Sequence, residues 1–141
     1  MADLPEPTLS EARALILGIG TFWLCWALSV PFFTSNVGIS MVPFFVGFAA
    51  GGWAYFRGIF PLLARAEGTD VASLFFTFQV PWSREARGRQ RRLWQVIFPS
   101  SFRRAAAVLG WNQRLVVVTL GSLLALDLVC AAWLFVSPAV Q

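Results

Sequence analysis

The sequence predicts an all-α integral membrane protein: three transmembrane helices, with a basic, partly amphipathic helical segment between the second and third. Three observations lead there. Hydrophobic residues make up 57% of the 141, and only 13% are charged, against about 25% charged in ordinary soluble domains. Three apolar runs are each long enough for a helix rising about 1.5 Å per residue to cross about 30 Å of hydrocarbon. The eleven arginines, with no lysine to accompany them, avoid the link between the first two runs and the C-terminal tail.

Residues 1–11 form a short polar leader with Asp3, Glu6 and Glu11. A cleaved signal needs a positive leader and a small-residue cleavage site, so the first run reads as a retained anchor. Residues 12–65 form a transmembrane hairpin. Its first span, about 12–33, is broken only by Arg13 at its start and the small polar residues Thr21 and Ser29; its second, about 40–64, carries Arg57 alone. The polar stretch Thr34 to Ser40 between them suits a tight turn. Pro31 and Pro43 are expected to kink or end their helices near the outer leaflet.

Residues 66–113 are basic. Nine arginines from Arg65 to Arg114 oppose Glu67, Asp70 and Glu85, a balance of +6. Val71, Leu74, Phe75 and Phe78 lie on one helical face, as in an interfacial helix, although residues 72–80 also alternate as a strand would. After Pro81, Ser83 is placed to cap a helix carrying Arg84, Arg87, Arg89, Arg91 and Arg92 and then Trp94. Pro99 ends it, Ser100 is placed to cap a piece over 101–109, and Gly110 stops that piece.

Residues 114–141 hold the third span, Leu115 to Val136, with Asn112 at its cap, followed by a short external tail. Arginine-rich loops stay in the cytoplasm. The expected location is therefore the bacterial inner membrane, with a cytoplasmic N-terminus and Gln141 outside. Trp111 and Trp133 mark the two interfaces of the third span, while Trp23, Trp26 and Trp53 are expected to pack within the bilayer.

Asp127 is the residue to question first. It falls near mid-membrane, about 20 Å from the cytoplasmic end of its helix, where an ionised carboxylate costs at least about 3 kcal/mol unless protonated, paired or hydrated. Arg57, about 12 Å deep, is a candidate partner, as are Tyr55, Thr21, Ser29 and Ser122. Gly47 and Gly51 make a G-x-x-x-G face, and Gly121 with Ala125 gives the third span a similar pair; such faces let helices approach closely, within a chain or between chains.

Catalysis finds no support. Without histidine there is no Ser-His-Asp or Cys-His arrangement, paired carboxylates are absent, and no phosphate-cradling loop occurs. Cys25 and Cys130 read as small apolar residues, so neither a metal nor a cofactor is expected. The basic residues, with Arg103, Arg104, Trp94 and Trp111 among them, suit anionic lipid headgroups or a protein partner; no nucleic-acid-binding fold accompanies them. The expected function is non-enzymatic: an accessory or assembly subunit of a larger membrane complex, bound to other transmembrane subunits or to itself through helix packing and Asp127. The alternative is a small homo-oligomeric ion- or proton-linked transporter or channel built on Asp127.

Overall fold

The computed structural model describes residues 4–33, 35–72, 87–88, 91–92, 96 and 99–136, and every element among them is helical. Helix α1 is Leu9–Phe32, α2 is Val37–Glu67, α3 is Pro99–Val108 and α4 is Gln113–Val136. Three of them, α1, α2 and α4, are long and apolar enough to cross a membrane.

Local chemistry sets the ends. α1 begins at Leu9 rather than Ala12 because Thr8 and Glu11 form a capping box: the Thr8 N–H donates to Glu11 Oε2 at 2.7 Å, and the Glu11 N–H donates to Thr8 Oγ1 at 3.4 Å. These bonds satisfy donors that a helix start otherwise leaves open. The Asn36 Oδ1 accepts from the Ile39 N–H at 3.2 Å and starts α2 at Val37. The turn is therefore tighter than the expected Thr34–Ser40 link. Pro31 lies one residue before the end of α1, whereas α2 continues well past Pro43.

α3 starts at Pro99, so Ser100 lies within the helix rather than capping it, and Pro99 opens this helix. Proline suits a first helical turn because its missing N–H would have no partner there. Gly110 stops the helix as expected: at φ 69°, it lets the Trp111 N–H reach the Ala106 carbonyl at 2.8 Å and its own N–H reach Ala107 at 3.0 Å, a left-handed closure that other residues adopt at a cost. The Asn112 Oδ1 then accepts from the N–H groups of Arg114 and Leu115 at 3.1 and 3.2 Å, which caps α4.

α1 and α2 pack antiparallel along most of their length, and α3 packs across the starts of α1 and α4. The core gathers at that arginine-rich end. Ala12, Leu15, Ile59, Leu63, Val96, Phe102, Ala105 and Leu120 are all buried there. Burial falls off from helix to helix: 44% of the apolar window of α1 is buried, 17% of that of α2 and 11% of that of α4. α4 is thus held by α3 at its start and by α1 along one stripe through Leu120 and Asp127, and is exposed on its other sides.

Some sequence readings fall outside the described residues: the choice between helix and strand over 73–80, the Ser83 cap, and the placement of Arg84, Arg89 and Trp94. Val71 and Ala72 are helical. Trp23 packs edge-on to Phe102 at 6.3 Å, and Trp26 packs against Phe22 and Phe44, but Trp53 is exposed on the outside of α2 and does not fill a core.

Candidate functional site

The interface of α1 with α2 is made by residues that have little or no side chain. A Cβ added at Gly47 would lie 2.8 Å from the Cβ of Cys25, and one at Gly51 would lie 2.9 Å from the ring of Phe22. The G-x-x-x-G face is therefore used within the chain. The tightest point was not apparent in the sequence: a Cβ at Gly18 would stand 2.6 Å from the Cβ of Ala54 and 2.9 Å from the Ala50 carbonyl oxygen. Gly58 likewise sits against Leu15, at 3.0 Å. The available signal was Ala54-x-x-x-Gly58, a second small pair continuing the first along one face.

Gly121 behaves oppositely. A Cβ there meets nothing within 4 Å, and Ala125 is exposed. The small pair of α4 faces away from the other helices, so it plays no part in packing within this chain.

Asp127 faces inward. Leu120 packs on Gly20 of α1, and α3 holds the starts of both helices together, so the two run in the same direction. Two turns further along each, about 10 Å on, Asp127 comes level with Ala27, and both are buried. The Asp127 residue is 7% exposed, and its Oδ1 has no hydrogen-bond partner among the described residues. Four of the five candidate donors are placed or engaged elsewhere. Arg57 is exposed on α2, with no ion pair to the acid. Ser29 gives its hydroxyl to the carbonyls of Cys25 and Trp26, at 2.9 and 3.0 Å. Tyr55 packs its ring on Phe60, and Ser122 is exposed. A buried carboxyl oxygen without a donor loses the free energy that water would otherwise provide.

The arginine-rich end has its own pairing. Arg65 donates to Glu11 Oε2 and, at 3.2 Å, to the Glu6 carbonyl, while Arg92 lies 3.7 Å from Glu67. Arg104 donates to the Leu4 carbonyl at 2.8 Å. Arg92 and Arg104, expected to face lipid or a partner, are thus engaged internally, whereas Arg87, Arg91, Arg103 and Trp111 are exposed. Two shallow hollows accompany these features. One, lined by Phe22, Trp26, Phe44, Gly47 and Phe48, is apolar; the other, beside Leu4, Leu62, Val96 and Arg104, lies at the charged end.

No protein-family model matches the chain. No curated protein and no solved structure matches it either.

Proposed function

We propose that this chain is a non-enzymatic accessory or assembly subunit of a larger membrane complex, crossing the bilayer three times with its N-terminus in the cytoplasm and Gln141 outside. The observation that carries the reading is α4, of whose apolar window only 11% is buried and whose one acid has an oxygen without a donor. A helix from another subunit, seated along the edge of the seam between α1 and α4 and bringing a hydroxyl, amide or cation to Asp127, would cover part of the exposed span and satisfy the acid together. Gly121 and Ala125 face the other way and offer a separate close approach on the far side of α4.

Purification in mild detergent from native membranes tests this, with companion chains expected alongside the 15.6 kDa protein. Asp127→Asn keeps a hydrogen-bonding side chain and is expected to retain the companions. Asp127→Leu is expected to reduce their recovery about fivefold, the equivalent of one intramembrane hydrogen bond of about 1 kcal/mol, without lowering the melting temperature of the isolated chain. A lone 15.6 kDa species in the wild type, or undiminished recovery with leucine, would refute the proposal.

A further inference from the structure

We propose that Arg13, Arg103, Arg114 and Trp111 form an exposed collar at the arginine-rich end of the bundle that binds anionic phospholipid headgroups in preference to zwitterionic ones. Of the carboxylates at this end, Glu11 is held by Arg65 and Glu67 by Arg92. Asp70 is engaged as well, and among the described residues the exposed Glu6 alone is left against the remaining arginines. Arg13, Arg103 and Arg114 are exposed and have no acidic partner among the described residues.

Their positions make a surface rather than a scatter. Arg13 lies in the first turns of α1, which α3 crosses; Arg103 is on α3, whose opposite face buries Phe102, Ala105 and Ala106; and Arg114 opens α4. The Trp111 ring is exposed in the corner between α3 and α4. Indole favours the depth at which glycerol and headgroup meet, so it sets the collar at phosphate level. Beyond it, α4 presents exposed Leu115 and Val118, an apolar surface for the acyl chains of the same lipids. Arg114 also sits in the first turn of a 24-residue helix, whose positive end disfavours a lone cation. A phosphate beside it offsets that repulsion.

The collar depends on the three helices spanning a bilayer but not on the chain being a subunit, so copurification and lipid preference can fail separately. The test is native mass spectrometry of the detergent-solubilised chain, offered equal amounts of phosphatidylglycerol and phosphatidylcholine with matched acyl chains. The wild type is expected to retain phosphatidylglycerol preferentially. Each arginine near the surface is worth about a fivefold preference, so Arg103→Gln with Arg114→Gln is expected to remove most of it. Lysine at both positions preserves the charge and is expected to restore the preference, which separates loss of charge from loss of fold. Raising salt well above about 0.1 M, where the screening length is about 10 Å, is expected to weaken it. Equal retention of the two lipids by the wild type, an unchanged preference in the glutamine variant, or displacement of the lipid by inorganic phosphate alone would overturn the proposal.

Discussion

Gly18→Leu is expected to separate the first two spans and to destabilise the chain by about 3 kcal/mol or more, the upper range for overpacking a tight interface. Even a methyl group at this position would approach the Cβ of Ala54 to 2.6 Å and the Ala50 carbonyl oxygen to 2.9 Å. The latter is backbone, which cannot swing aside as a long side chain can. Relief requires the helix axes to move apart, and that withdraws Phe22 from Gly51 and Cys25 from Gly47 as well. Gly52→Ala is the control, because nothing lies within 4 Å of the added atom and alanine is the better helix former. Unfolding in mixed micelles, followed by far-ultraviolet circular dichroism, should show a large loss for the first variant and none for the second. Equal midpoints would remove the close approach from the account of stability.

Arg65→Met is expected to cost about 2 kcal/mol, more than Glu11→Gln at about 1 kcal/mol, with the double variant costing less than the sum. The asymmetry follows from burial. The side chain of Glu11 is 8% exposed and that of Arg65 40%, so removing the arginine strands a carboxylate in the interior, while removing the carboxylate frees a guanidinium that can turn to water. Breaking a fully buried pair costs about 3–5 kcal/mol, and the exposure of Arg65 reduces that figure. Glutamine at position 11 keeps an oxygen for the Thr8 N–H, so the capping box survives in part. The same unfolding assay measures the cycle. Strict additivity would mean that the pair contributes nothing.

The three spans were legible because length and apolarity alone specify them, and the end caps at Gly110 and Asn112 because each uses one residue's particular chemistry. The start of α1 is also written in the chain, as Thr8 three residues before Glu11, but both fall within a stretch that composition marks as a polar leader. Tertiary partners were harder to read. Gly47 and Gly121 each belong to a small-residue pair four residues apart; one lies against Cys25, the other faces open space, and spacing along a helix carries no information about which face another helix will cover. Arg57 and Asp127 appeared as natural partners when only depth was counted. The structure places the arginine on the outside of α2 and the acid against α1, a difference of azimuth that depth cannot reveal. The role of Glu11 was similarly hidden, since its partner Arg65 lies at the far end of the hairpin.

The two long hairpin helices each contain a short π-helical stretch, Ala14–Gly18 in α1 and Tyr55–Ile59 in α2, and the stretches abut through Gly58 and Leu15. Such a stretch holds an extra residue in one turn, and every residue past it is turned by about 100° from where a regular helix would put it. In α2 this phase shift lets Gly47 and Gly51 on one side of it, and Ile59 and Leu63 on the other, all address α1. Deleting a single residue from 55–59 would yield a more regular helix yet a mismatched hairpin, with one half of its seam swung away from α1. Length variants of this chain should therefore be tolerated in the turn at 33–36 and rejected in the middle of the helices, and a deletion in both π-stretches should fail as a deletion in one does, because each helix needs its own shift to keep its seam continuous.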